Sequence, residues 1–455
     1  KIYSIMSKDI RIRKGFDIKL VGEAEKETVQ AIASNVYAIQ LSDFHGIIPK
    51  MLKKVGDKVQ AGEAIFYNKT NEAMKFAAPV SGEVSEIVRG DRRRILTIKI
   101  SADKEQKHAS VASMNVDTAN AETIKNHLLA TGCWPFISQR PYAIIANPEV
   151  APKAIFVSAY ASAPLAADYD YVLAGKEAEL QAAVTALGKL TEGAVHVSIG
   201  KKSNSPLSGL NGVTLHKVSG PHPSGNVGTQ INKIDPINKG EVVWTVTPQD
   251  LVIIGELLLT GKFNAERTIA LVGSSVKKPK YYKTKIGSEV AAFVYASGVH
   301  TENIRVIGGD VLTGAKVNPD GYLGYYNNTV TVIPEGDDYD LFGWNKPVFN
   351  KVSTSRAMTF SWMMPNKKFD LNTNTNGEHR AFVVTGSFEE VFPLDMYPMQ
   401  LLKACMVKDL DEMEALGMYE VAPEDFALTE FVCVSKQPHQ EIIREGLDLM
   451  YKEIG

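Results

Sequence analysis

The sequence predicts a multidomain protein that joins all-β and α/β units. A barrel-sandwich hybrid is expected over residues 1–101, an open α/β domain over 115–257, a β-grasp module over 258–335 and a mainly helical C-terminal region over 336–455. Three observations carry this. Short Val/Ile-rich stretches, punctuated by Val55-Gly56-Asp57, Ala61-Gly62 and Ser81-Gly82, read as strands of a β-sandwich. After Ala154 apolar strand patterns alternate with helical ones, the signature of an open α/β sheet with right-handed crossovers. From Leu401 through Cys405 to Leu416 the apolar residues keep one helical face.

The 455 residues divide into three or four units, each long enough to bury its own core. A net charge of -2 gives no field that would recruit nucleic acid or anionic lipid non-specifically. The basic run Arg92-Arg93-Arg94 reads as a solvated strand edge. The longest apolar stretch, Leu251 to Leu259, is broken by Gly255 and Glu256 and falls far short of the ~20 residues a spanning helix needs. The start, Lys1 to Met6, lacks the apolar core of a secretory signal, so a cytoplasmic location is expected. The three cysteines, Cys133, Cys405 and Cys433, are widely spaced and suit a reducing compartment.

Within the sandwich, Glu72-Ala73-Met74-Lys75 spells the residues that carry biotin in carboxylases, yet Pro79 follows only four positions after Lys75. At about 3.3 Å per residue that return strand is too short to place the lysine at a hairpin tip. A polar linker from Ala102 to Asn120 leads into the α/β unit, where Ala154–Ser158 and Ala194–Ile199 read as strands and Glu177–Leu190 as a helix. In the next unit Thr268–Val272, Ile304–Ile307 and Thr329–Ile333 read as strands around a short helix, Glu289–Ala296. Helices follow from about Asp395, with Gly417 as a stop, and no internal repeat is visible.

Four motifs bear on chemistry. Gly255 to Lys262 resembles a phosphate loop, but its glycines are one residue too far apart and Phe263 stands where Ser or Thr would hold magnesium; a helix C-cap at Gly261 is the better reading. The small residues of His222-Pro223-Ser224-Gly225-Asn226-Val227-Gly228-Thr229 leave backbone N–H groups free, which makes either a ligand nest or a plain loop. Trp134-Pro135-Phe136 and Arg140-Pro141-Tyr142 offer apolar walls and one cation to a flat ligand, or else pack a loop onto its domain. The nine histidines show no metal-binding pair, and no Gly-x-Ser-x-Gly elbow is present, so a metal site and a serine hydrolase are not expected.

Taken in order, Val55-Gly56-Asp57-Lys58, Ala154-Ile155-Phe156-Val157, Pro164-Leu165-Ala166-Ala167-Asp168, His222 to Thr229, Leu257-Leu258-Leu259-Thr260-Gly261, Tyr322-Leu323-Gly324, Pro393-Leu394-Asp395 and Phe431-Val432-Cys433 resemble the NqrA family, one of the subunit families of the sodium-translocating NADH:quinone reductases, over nearly the whole chain. More distantly the sequence is similar to the iron-sulfur subunit of the Rnf electron-transport complex and to the flavin-bearing subunit of respiratory complex I. The resemblance implies a Rossmann-like α/β domain and a soluble-ligand-binding (SLBB) β-grasp module. It also implies losses. Counting back from Cys433, the cluster-ligand positions of the Rnf relatives fall on Thr429, Phe426 and Pro423, and one thiol cannot hold a cluster. The flavin loop is replaced by Gly132 to Ser138, whose bulky side chains keep the backbone from a phosphate.

The resemblance therefore implies a peripheral subunit on the cytoplasmic face of the bacterial inner membrane, in a six-subunit complex that reduces ubiquinone and exports sodium. No cofactor is expected on this chain. FMN, FAD, riboflavin and iron-sulfur centres are expected on the membrane and flavoprotein partner subunits, and ubiquinone is a candidate ligand. For quinone the candidate contacts are Trp134, Phe136 and Tyr142 as walls, Arg140 as a carbonyl donor, and His222 and Gly225 beside them. Two other classes stand as alternatives: a biotin or lipoate carrier through Lys75, and a redox-active flavin or iron-sulfur protein of the Rnf type.

Overall fold

Val36–Gln40, Ile95–Ala102, Gly82–Arg89 and Lys58–Val59 form one sheet of the N-terminal sandwich, and Pro49–Met51, Ala64–Asn68 and Asn71–Ala77 form the other. These elements come from a computed structural model that describes residues 7–337, 347–358 and 360–455; Lys1 to Met6, read above for a signal, lie outside the described residues. Phe66 stacks on Phe76 at 4.3 Å and Phe44 meets Phe76 edge-on at 4.8 Å, filling the sandwich with aromatic area. Lys75 pairs with Tyr67 in mid-strand, and the hairpin turns at Lys69 and Thr70. It is not at a tip, as the short return strand implied.

Two described strands ahead of residue 31 pair outside this sandwich. Asp9–Arg11 pairs in parallel with Thr214–Ser219, and Glu25–Gln30 pairs with Lys280–Lys285 in the β-grasp sheet. Each segment satisfies the open edge of another unit's sheet. A strand this short carries too little alternation to name its partner from sequence.

The α/β sheet runs Asp9–Arg11, Thr214–Ser219, Val195–Gly200, Ile155–Ser158, Val243–Thr245, Ser138–Arg140, Ile144–Ile145, with the first five strands parallel. From Ile155–Ser158 the chain winds outward to Val195–Gly200 and Thr214–Ser219, then returns on the opposite side as Val243–Thr245. That reversal opens a crevice at the carboxyl ends of Ile155–Ser158 and Val243–Thr245, where open α/β sheets bind ligands. Helix Pro248–Thr260 starts on a Thr247 cap and stops at Gly261, whose φ of 69° and N–H bond to the Leu257 carbonyl (2.8 Å) make the expected left-handed C-cap. The expected boundary at 257 thus falls inside this helix. Gly255 lets the helix touch helix Glu177–Gly188: a Cβ there would lie 1.8 Å from the Glu179 carbonyl oxygen. In this would-be phosphate loop the glycine serves packing.

The β-grasp sheet has the order Ala315–Val317, Ile304–Gly308, Thr329–Pro334, Glu266–Val272, Lys280–Lys285, Glu25–Gln30, with helix Ala291–Ser297 packed on it through Phe293 and Val294. Helices Ser387–Val391, Pro398–Val407, Leu410–Ala415, Ala427–Val432 and His439–Glu453 follow. Among the described residues between Pro347 and Gly386 only the turn Ser361–Met363 is helical, and the helices that follow begin at Ser387, ahead of the start expected at about Asp395. The intervening stretch, with its Asn372-Thr373-Asn374-Thr375-Asn376-Gly377 run, has no periodic apolar face to bury.

Candidate functional site at the strand-order reversal

Ser158 ends its strand at the crevice, and the chain then runs through Tyr160 and Ser162 along the cleft wall. The cleft measures about 300 Å3. Three units build it: Ser158, Ser162, Tyr169, Gly225 and Asn226 from the α/β domain, Asp310 and Tyr326 to Thr329 from the β-grasp module, and Glu424 from the C-terminal region. Hydroxyls, amides and two carboxylates dominate the lining, and no lysine or arginine lies among the lining residues.

A network fixes the wall beside helix Val227–Ile234. Ser158 Oγ donates to the Gly225 carbonyl (2.7 Å) and accepts from Gln230 Nε2 (2.8 Å). Ser162 Oγ accepts the Gly225 N–H (2.8 Å) and lies 3.1 Å from His222 Nδ1, while the His222 N–H donates to Asp17 (2.9 Å). A Cβ on Gly225 would sit 2.2 Å from the Tyr160 carbonyl oxygen and 2.6 Å from Ser162 Oγ, so only glycine lets these strands of chain meet. Across the cleft Asp310 is committed to its own turn, accepting from the N–H groups of Leu312 (2.7 Å) and Thr313 (3.0 Å).

Charge around the cleft is set by two buried arginines. Arg140 donates to Asp425 and Glu424, both at 2.6 Å, and to the Glu420 carbonyl at 3.0 Å. Gly228 makes room for that pair, since a Cβ there would lie 2.3 Å from Arg140 Nη1 and 2.5 Å from Asp425. Loss of water raises the Glu424 carboxyl, with Arg140 pulling against it and Asp425 adding to it. Arg267, from the β-grasp sheet, reaches to the first turn of helix Pro248–Thr260 and pairs with Asp250. It also donates to Asn328 (3.0 Å), and its guanidinium lies 5.8 Å from the Phe136 ring centroid. Gln249 reaches the same asparagine at 3.0 Å. Burial pushes the Tyr169 hydroxyl up to about 12 and lowers His222 against the pull of Asp310, Asp17 and Asp425, so both are neutral near pH 7.

The six quinone candidates are not brought together in one cavity. Trp134 is fully buried, donates Nε1–H to the Ala146 carbonyl (2.7 Å) and meets Trp244 edge-on at 5.3 Å. Phe136 is buried between Tyr325 (5.1 Å) and Phe263 (6.3 Å). Arg140 is consumed by its carboxylates, and Tyr142 packs on Tyr451 at 5.0 Å. Of the six only Gly225 lines the cleft; buried His222 stands one hydrogen bond behind it, through Ser162. Sequence reading missed Ser158, Ser162, Asp310, Asn327 and Glu424. The signal for the first two was present, because they follow directly on a parallel strand whose carboxyl end faces the reversal.

The cleft does not suit a flavin phosphate. Glu424 and Asp310 would repel it, and Gly132 to Ser138, the segment expected to replace a flavin loop, is packed core rather than open backbone. At the would-be cluster ligands, Phe426 packs on Phe392 at 4.9 Å, and Thr429 Oγ1 bonds the Phe426 carbonyl (2.8 Å) and lies 2.9 Å from His439 Nδ1. Among the described residues no group of three or more His, Cys, Asp or Glu is placed to hold a metal ion, and no helix is long and apolar enough to cross a membrane.

Three domain-family models match the chain: the NqrA N-terminal barrel-sandwich hybrid domain over residues 10–103, the NqrA second alpha/beta domain over 119–263 and the NQRA C-terminal domain over 268–318. Curated relatives include the NqrA subunit of the Na(+)-translocating NADH-quinone reductase of Rhodopirellula baltica, 35% identical over 448 residues, 97% of this chain and 98% of that protein. The corresponding subunit of Neisseria meningitidis serogroup B is 35% identical over 98% of this chain and 100% of its own length, and that of Marinomonas sp. is 36% identical over 97% and 99%. Among solved structures, an NAD+-reducing nickel-iron hydrogenase aligns with 14% identity over 48% of this chain and 50% of its own, at a TM-score of 0.33.

Proposed function

The chain belongs to the NqrA family of the Na(+)-translocating NADH-quinone reductases, a translocase and oxidoreductase, and from that premise we propose that it acts there as a peripheral subunit without a redox group of its own. One observation carries this reading: the crevice where the α/β fold would seat a nucleotide is locked by Arg267, Asp250 and Asn328, and its open remainder presents two carboxylates and no cation among its lining residues. Flavins, iron-sulfur centres and the sodium path then belong to the other members of a six-subunit complex, and this chain sits on its cytoplasmic face. Isolated full-length chain should show no visible absorbance, and as bait in detergent-solubilised membranes it should recover redox-active membrane subunits. A yellow or brown chain, or bait that recovers none of them, removes the proposal.

A second part concerns ubiquinone. The cleft has the size of a quinone headgroup and presents hydroxyl and amide donors suited to its carbonyls. In this reading Gly225 touches the headgroup and His222 holds Ser162 in place. Arg140 fixes Glu424 and Asn226 donates to the Glu424 carbonyl (3.2 Å), while Trp134, Phe136 and Tyr142 brace the walls from behind. Binding of a short-chain ubiquinone to the purified chain should weaken roughly tenfold in Ser162→Ala, about the worth of one hydrogen bond. Trp134→Ala should lower stability more than affinity. Equal binding by Ser162→Ala and the parent chain rules the cleft out.

A further inference from the structure

We propose that the segment 347–369 is a lipid-contacting foot that seats this subunit on an anionic membrane surface. This rests on the peripheral-subunit reading and names what one face of the chain touches. The chain as a whole carries a net charge of -2, yet residues 347–369 hold four cations, Lys351, Arg356, Lys367 and Lys368, and no carboxylate. The same segment exposes its largest apolar side chains. Phe349 is 55% exposed, Phe360 61%, Trp362 63% and Met363 61%. Single exposed apolar residues are ordinary; four large ones within fifteen positions, interleaved with cations, are not.

The exposure is held by structure. Backbone N–H groups of Ser361, Met363 and Met364 donate to the carbonyls of Met358 (2.8 Å), Phe360 (2.9 Å) and Ser361 (3.2 Å), winding the tight turn that turns Trp362 and Met363 outward. Phe349, Met358, Met364 and Lys367 line one shallow depression, so both arms of the segment meet at a single patch. Its base is tied to the body: the Phe369 N–H donates to the Lys19 carbonyl (2.8 Å), and Lys19 Nζ donates to the Pro365 carbonyl (3.0 Å). Lys368 pairs with Glu23 at 3.1 Å, so Arg356 and Lys367 are the cations this patch relies on.

Indole and phenyl rings beside lysine and arginine are the chemistry of the lipid headgroup region. There the rings enter the acyl boundary and the cations meet anionic phosphates. A protein partner would be expected to present its own carboxylates to this patch; a bilayer presents a continuous anionic plane, which needs no registry with four scattered cations. The occupant is therefore the membrane surface itself.

The test uses full-length purified chain and vesicles of phosphatidylcholine with or without phosphatidylglycerol. The chain should co-sediment with the phosphatidylglycerol vesicles, less so at high salt. Phe360→Ser with Trp362→Ser should cut that binding on the order of tenfold or more. Trp134 and Trp244 are buried, so in a Trp344→Phe background a blue shift of tryptophan emission on vesicle addition should vanish in Trp362→Phe. In detergent the double variant should still recover the membrane subunits, which separates this proposal from the subunit reading. A chain that ignores both vesicle types overturns the lipid foot. So does a double variant that keeps vesicle binding, one that loses the membrane subunits in detergent, or a chain whose self-association the double variant dissolves.

Discussion

The α/β domain is fastened to its neighbours by two buried arginines that solve the same electrostatic problem differently. Arg267 and Asp250 are sealed, with side-chain exposures of 0% and 1%, and the pair is electrically balanced. Arg140 is 3% exposed but serves two carboxylates: Asp425 is fully buried, and Glu424 keeps 43% of its side chain open toward the cleft. The first junction closes the crevice against the β-grasp module. The second leaves a surplus negative charge at the cleft rim against the C-terminal helices. The sealed junction is thus a structural lock, and the open one also sets what the cleft admits.

Breaking the lock should give the largest effect. Arg267→Met leaves Asp250 charged and dry, which costs about 3–5 kcal/mol, whereas Arg267→Met with Asp250→Leu restores much of the loss because both desolvation costs disappear together. Urea unfolding of the four proteins should show this non-additivity. Arg140→Met strands the fully buried Asp425 in the same way and should cost a similar amount; the junctions differ in their second carboxylate, because Glu424 can turn to water in the cleft. A loss for Glu424→Gln as large as for Asp250→Asn would erase the distinction between a sealed and an open junction.

The lock was invisible in the sequence although its parts are ordinary. Asp250 lies in the first turn of a helix, where an acid is favoured, and Arg267 opens a strand; neither position says that they meet across two domains. What periodicity controls was legible: the strand Ile155–Ser158, the helix ending at Gly261 and the mid-sheet place of Lys75. What depends on distant pairing was not. Asp9–Arg11 and Glu25–Gln30 leave the sandwich for other sheets, and of the residues chosen for their chemistry in a loop, Phe136 and Arg140 are drawn into the seams between domains while Trp134 packs on Trp244. Gly225 lines the cleft, and the signal that singled it out, small residues that leave backbone N–H groups free, is local. Glu424 contributes to the cleft through tertiary contacts, and its neighbours in sequence give no hint of it.

A smaller effect separates the sealed side by pH. Asp43 accepts the Tyr325 N–H at 2.8 Å beside the Phe136 cluster, and burial pushes its carboxyl up to about 6. Its unfolded value is about 3.9, so the folded state prefers the protonated form. The group costs nothing below pH 4, and its cost grows as pH rises through 6 and stays in full above it. Asp43→Asn keeps an acceptor for the N–H and should raise stability by about 1–2 kcal/mol at pH 8, with no gain at pH 4. Thermal midpoints at the two pH values decide this; a gain at both would mean that charge is not the cause.

The smallest effect belongs to the cleft rim. Glu424 is open enough to water that its pair with Arg140 is worth no more than about 1 kcal/mol, while Asp425 still holds the guanidinium. Glu424→Gln should therefore leave unfolding nearly unchanged and remove the surplus charge that faces the cleft. Anionic probes should then gain on neutral ones: inorganic phosphate should bind the variant more tightly than the parent chain by about a few-fold, an interaction that salt weakens. If Glu424→Gln instead unfolds the protein as readily as Arg267→Met, the two junctions are alike and the rim carboxylate is part of the lock. If it leaves both stability and phosphate binding untouched, the cleft's charge is set elsewhere, and Asp310, already tied into its own turn, is the next group to neutralise.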